Sequence, residues 1–102
     1  MDNINNRDHD RFNFPPLSWA KIIINGNTPD DFKMYQLIDI SQSGMSFKSH
    51  NKTEFQRGTE FYVLEIAGTH LQKALLGKVR YLKPLDEFGV DIKVGAEFLE
   101  EK

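Results

Sequence analysis

Apolar residues in this chain recur mostly at every second position, the spacing of a pleated strand with one buried face. The clearest case comes last, where Val90, Ile92, Val94, Ala96 and Phe98 alternate with Asp91, Lys93, Gly95 and Glu97. Glu60 to Ile66 sets Phe61 and Val63 against Tyr62, Leu64 and Ile66, and Ala67-Gly68 turns it. Beyond that turn, Leu71, Lys73, Leu75, Gly77, Val79 and Tyr81 alternate with Gln72, Ala74, Leu76, Lys78 and Arg80, although Leu71 and Leu75 also fit one turn of helix. Earlier, Leu17 to Ile24 carries Trp19, Ala20 and three consecutive isoleucines up to the turn signal Asn25-Gly26. Met34 to Ile40 reads as the returning strand, with Met34, Tyr35, Leu37 and Ile38 pointing to burial on both faces, and Met45 to Ser49 puts Met45 and Phe47 on one face. His50 to Thr59 reads as loop, with a helical turn from Thr53 whose spacing to Gln56 matches a capping box and which Gly58 stops. Pro84 to Gly89 is a further turn. Six short segments with hairpin-like connections, and no periodic run of helix length, predict an antiparallel all-β barrel or sandwich. Met1 to Phe14, rich in Asn and Asp and without sustained periodicity, reads as a mobile arm ahead of Pro15-Pro16.

Composition narrows the picture. The 102 residues, 39% of them hydrophobic and including eight Phe, three Tyr and one Trp, suit a single domain that buries about two thirds of its unfolded surface. A formal charge of -2 and a pI near 5.9 argue against a general binder of nucleic-acid polymers, which needs many clustered cations. Anion recognition must then be local. With no cysteine, no secretory apolar run and nothing approaching the roughly 18 apolar residues of a membrane span, a soluble cytoplasmic protein without membrane insertion is expected. His9, His50 and His70 share no metal-ligand spacing, no Gly-x-Ser-x-Gly supplies a nucleophile, and no Gly-x-x-x-x-Gly-Lys loop cradles phosphates. A non-enzymatic binding protein with no metal and no cofactor is therefore expected.

The candidate chemistry is a two-part motif. Arg7 and Arg11 form Arg-x-x-x-Arg in the arm, and Asp39-Ile40-Ser41-Gln42-Ser43-Gly44 follows at the end of the second strand. Guanidinium groups match phosphate oxygens and the O6/N7 edge of guanine two bonds at a time. The Asp39 carboxylate suits the N–H edge of guanine, the Ser41 hydroxyl donates or accepts, and Gly44 lets backbone bend or approach closely. Asp8 and Asp10 partly offset the arm's positive field, so each arginine needs a specific partner. The combination suits a guanine-containing dianion. Residue by residue, turn capping by Asp39 and Ser41 and a left-handed backbone at Gly44 are equally good readings.

Arg-x-x-x-Arg before a first strand, with Asp-x-Ser-x-x-Gly closing the second, resembles the PilZ domain family of bacterial cyclic di-GMP receptors. The resemblance runs over nearly the whole chain, through Gly44-Met45-Ser46-Phe47 and Gly77-Lys78-Val79-Arg80-Tyr81 to Val94-Gly95-Ala96-Glu97-Phe98. It implies a six-stranded antiparallel β-barrel over 15–98, an arginine-bearing arm over 1–14 folding across its outside, and a tail over 99–102 in place of the C-terminal helix many members carry. It also implies that Lys48, then Arg80 or Tyr81, extend a ligand site formed by Arg7, Arg11, Asp39, Ser41 and Gly44. Asn6 stands where some members have a third arginine, which leaves the number of ligand molecules open.

The implied function is a cyclic di-GMP receptor whose arm orders on ligand binding and signals to a protein partner, in motility or biofilm regulation. The alternative is a PilZ-like adaptor that binds protein and not nucleotide. Neither the partner nor the oligomeric state is written in the sequence.

Overall fold

Seven strands account for nearly all the regular structure in the computed structural model, which describes residues 12–13, 18–51 and 53–99. They are β1 (Phe12–Asn13), β2 (Trp19–Ile24), β3 (Lys33–Ile40), β4 (Gly44–Ser49), β5 (Glu60–Ile66), β6 (Thr69–Pro84) and β7 (Ile92–Phe98). Every pairing is antiparallel. The order β3-β2-β5-β6-β7-β4 closes back onto β3, giving a six-stranded antiparallel barrel, while the two-residue β1 adds to β3. Closure removes the unpaired edges that an open sheet would present. Among the described residues there is no α-helix, only a 3-10 turn at Pro29–Asp31 held by the Asp31 carboxylate, which accepts from the Thr28 hydroxyl at 2.9 Å.

Alternation decides what goes inside. Ala20, Ile22, Leu37, Met45, Phe47, Phe61, Val63, Val79 and Val94 are buried and meet in the barrel interior. Phe47 packs against Tyr35 and Phe61 with ring centroids 5.2 and 5.5 Å apart, in tilted and edge-on arrangements that suit aromatic quadrupoles. At Gly77 a β-carbon would come within 2.6 Å of the Phe61 ring, so the glycine makes room for it. The Leu71/Leu75 ambiguity resolves as strand, since both lie in β6 and pack against the core. Met34 differs from the expectation of burial on both faces of β3 and is exposed.

Among the described residues, the loop between β4 and β5 holds no helical turn. The Asn51 side chain accepts from the Thr53 amide at 2.9 Å and the Thr53 hydroxyl at 2.7 Å, so Thr53 is bound backward and makes no cap toward Gln56. The loop instead drives Phe55 into the core, fully buried against Tyr35 and Phe47. Beside it, Glu54 accepts from Tyr35 Oη at 2.6 Å, Lys33 Nζ at 2.8 Å and Ser49 Oγ at 3.1 Å. Burial pushes the Glu54 carboxyl up, but these bonds together outweigh it and hold the group below the usual carboxylate range. Burial and the bond to Glu54 raise the Tyr35 hydroxyl well above its ordinary value.

Two strand irregularities determine which side chains reach the outside of one wall. In β3, Leu37 pairs with Phe47 and Asp39 with Ser46, so Ile38 is an extra, bulged residue. In β6, Val79 pairs with Ala96 and Tyr81 with Gly95, which leaves Arg80 as the extra residue. Regular pleating would put Asp39 on the inward face with Tyr35 and Leu37, and Tyr81 inward with Gly77 and Val79. Each bulge turns its next residue outward.

Candidate functional site

The register lines up one row across the outer wall: Asn13 on β1, Asp39 on β3, Ser46 on β4, Gly95 on β7 and Tyr81 on β6, each pairing with its neighbour. Asp39 Oδ1 accepts from Ser46 Oγ at 2.9 Å, which orients the carboxylate along the wall. Ser46 is only 2% exposed, although alternation with Met45 and Phe47 puts it on the outer face. At the far end, the Tyr81 ring covers Gly95, where a β-carbon would collide with it, and the tyrosine is 45% exposed. An oriented carboxylate and an exposed ring thus stand in one cross-strand row, with β4 and β7 between them.

The turn after β3 is built by its own polar groups. Ser41 donates its backbone N–H to the Gly44 carbonyl at 2.8 Å, and its hydroxyl oxygen accepts the Ser43 amide at 3.3 Å and lies 3.3 Å from Ser43 Oγ. The Ser41 side chain is buried. Gly44 is not left-handed: the glycines with positive φ are Gly26, Gly58, Gly68 and Gly89. What Gly44 supplies is close approach, since a β-carbon there would collide with the Ala96 carbonyl oxygen and come within 3.2 Å of Glu97 Cα. The Phe98 amide then bonds the Ser43 carbonyl at 2.8 Å and pins the turn to β7.

Lys48 lies in the neighbouring row, where Gln36, Lys48, Lys93 and Lys83 pair across β3, β4, β7 and β6. It also lines a cleft of about 250 Å³ shared with Trp19, Gln36 and Glu54. Arg80 is engaged elsewhere, donating to Glu97 Oε2 at 2.6 Å, and this guanidinium holds the Glu97 carboxyl below its ordinary range. Arg7 and Arg11 lie outside the described residues; of the motif, Asp39, Ser41 and Gly44 fall at the end of β3 and the turn into β4, and Lys48, the extension implied by the resemblance, lies one row away on β4. Sequence reasoning missed Ser46, Lys93 and Lys83. Alternation opposite Phe47 and Val94 was the available signal for the first two. A second cleft, of about 230 Å³ near the Asn25-Gly26 turn, is lined mainly by hydrocarbon from Ile23, Ile24, Tyr62 and Leu64 and has no cationic side chain in its lining. Among the described residues no group of three or more His, Asp or Glu could hold a metal ion, and no helix is long and apolar enough to cross a membrane.

Comparison with known proteins supplies the relationship. The family model described as PilZ domain matches residues 5–101. The fold is similar to the solved structure of the Bacillus subtilis inhibitor of motility (MotI/DgrA), with TM-score 0.61 and 16% identity, covering 97% of this chain and 44% of that one. It is also similar to the K. pneumonia MrkH–c-di-GMP complex, with TM-score 0.64 and 14% identity, covering 97% of this chain and 46% of that one. The chain therefore spans less than half the length of either structure. No curated protein sequence matches it. With its sequence matched almost from end to end and its barrel shared with both solved structures, this chain belongs to the PilZ domain family.

Proposed function

We propose that this PilZ domain is a non-enzymatic receptor for cyclic di-GMP, bound by Arg7, Arg11, Asp39, Ser41, Gly44 and Lys48. The observation that carries the reading is the pairing of Asn13 with Asp39, because it ties the chain just beyond Arg11 to the strand that presents the carboxylate. The solved MrkH structure is a complex with c-di-GMP, which supports the same ligand for a domain carrying both halves of the motif. In this reading the arm, residues 1–14, orders on the barrel, residues 15–98, when ligand binds, and the changed surface is read by a protein partner. MotI is named an inhibitor of motility, which makes motility a reasonable setting.

Calorimetric titration with cyclic di-GMP tests the proposal. Charge-assisted hydrogen bonds contribute about 1.5–3 kcal/mol, so Arg11→Ala should weaken binding roughly ten- to a hundredfold. Absence of heat at ligand concentrations on the order of tens of micromolar, or an unchanged affinity in the variant, overturns it.

A second reading, an adaptor that binds protein and not nucleotide, is favoured by the local duties of two motif residues. The Ser41 hydroxyl serves its own turn, and Gly44 is needed for packing against Ala96. It expects a silent titration and a partner complex indifferent to added nucleotide.

A further inference from the structure

The row beside Asp39 opposes like charges without relief. Lys48 pairs with Lys93 and Lys93 with Lys83, so three ammonium side chains leave the outer face of adjacent strands in one line. Cross-strand neighbours stand about 4.5–5.5 Å apart at Cβ, and like charges directly opposite are destabilising. Three cations elsewhere on the barrel are answered: Lys21 by Glu65 at 3.6 Å, Lys33 by Glu54 at 2.8 Å and Arg80 by Glu97 at 2.6 Å. Among the described residues no carboxylate pairs with Lys48, Lys83 or Lys93. An arrangement that repels itself when empty favours an anion spread across it.

That row runs parallel to Asp39–Ser46–Gly95–Tyr81 and two residues along the same strands, a displacement of about 7 Å. The Tyr81 ring, held over Gly95, stands next to Lys83 and Lys93 on this wall. Carboxylate, exposed aromatic face and cations therefore lie within one nucleotide's reach. Lone lysines on a strand are ordinarily a solvated surface; three in register beside an outward-turned ring and carboxylate have the chemistry that phosphate and base recognition requires.

We infer that Lys93 and Lys83 extend Lys48 into a phosphate-binding row, alongside the Tyr81 ring that the family resemblance already implies for the site. This rests on the cyclic di-GMP reading above and adds residues that the two-part motif does not contain. The ligand lies across β4, β7 and β6, with one phosphodiester on the lysines.

The test is calorimetry of the full chain with cyclic di-GMP at about 50 and 200 mM salt, comparing wild type with Lys93→Gln, Lys83→Gln, Tyr81→Leu, Arg11→Ala and Lys21→Gln. Lys21, on β2 opposite β7 in the strand order, controls for charge alone. Lys93→Gln should cut affinity about tenfold and make it less dependent on salt, because one fewer screened charge pair is formed. Tyr81→Leu should cost about five- to a hundredfold, the size of one lost base stack. Because Lys93→Gln removes like-charge opposition, it should melt no lower than wild type, which separates lost contact from lost fold. Wild-type binding weakened by Arg11→Ala but matched by Lys93→Gln and Tyr81→Leu overturns this inference and leaves the receptor reading standing. Loss in Lys21→Gln equal to that in Lys93→Gln also overturns it, and a silent wild type overturns both readings.

Discussion

The Tyr81 ring covers the Cα of Gly95 on the neighbouring strand so closely that a β-carbon on the glycine would fall within the ring. Glycine is a poor strand residue, and a cross-strand aromatic that shields it recovers part of the loss. Gly95→Ala should therefore swing Tyr81 off the wall and destabilise the domain by about 1–2 kcal/mol. In a Tyr81→Ala background the same substitution should cost little. A double-mutant cycle by urea denaturation reads the coupling, and additive effects within about 0.5 kcal/mol would refute the contact as its source.

Phe55 belongs to a loop by sequence and to the core by packing. Its ring sits 5.2 Å from Phe47 and 5.4 Å from Tyr35 with almost no exposure. Phe55→Ala should cost about 3–5 kcal/mol, a large share of the stability of a domain this size. Chemical denaturation measures it; a loss under about 1 kcal/mol would mean that the loop does not plug the barrel.

Glu54 links that loop to β3 through Tyr35 and Lys33, and its carboxyl is held below the ordinary range. A carboxyl lowered on folding contributes stability that is complete above its unfolded value and disappears as pH falls through the folded one. Stability should therefore hold down to about pH 5 and decline as pH falls below about 4, and Glu54→Gln should flatten that decline. Tyr35 acts with the opposite sign: its raised value contributes stability that is complete below about pH 10 and disappears above it. Denaturation midpoints across pH for both proteins check the acid limb; parallel curves would show that another carboxyl governs it.

Ala67 is the only described non-glycine with positive φ, at 50°, and Gly68 follows at 86°. Two left-handed residues in a two-residue hairpin are the geometry that Asn-Gly favours. Ala67→Asn should stabilise the domain by about 0.5–1 kcal/mol and raise Tm by about 2–8 °C. Calorimetric melting measures it, and a lower Tm would contradict the turn assignment.

Much of the barrel is legible in the sequence because its signals are local. Alternation in 90–98 and 60–66, the Asn25-Gly26 and Ala67-Gly68 turns, and the absence of a helical period depend only on near neighbours, and they match β7, β5 and the two hairpins. The motif was visible for the same reason, as fixed residue types at fixed spacing.

What the sequence by itself determined is which residues form strands and which carry the candidate chemistry. Only the tertiary structure decided which way that chemistry faces. A pleat of period two puts Asp39 and Tyr81 inside, and the bulges at Ile38 and Arg80 turn them out because register with β4 and β7 requires one extra residue in each strand. The lysine row likewise exists only once β4, β7 and β6 are aligned, since Lys48, Lys83 and Lys93 become neighbours through pairing between strands and through nothing in their own segments.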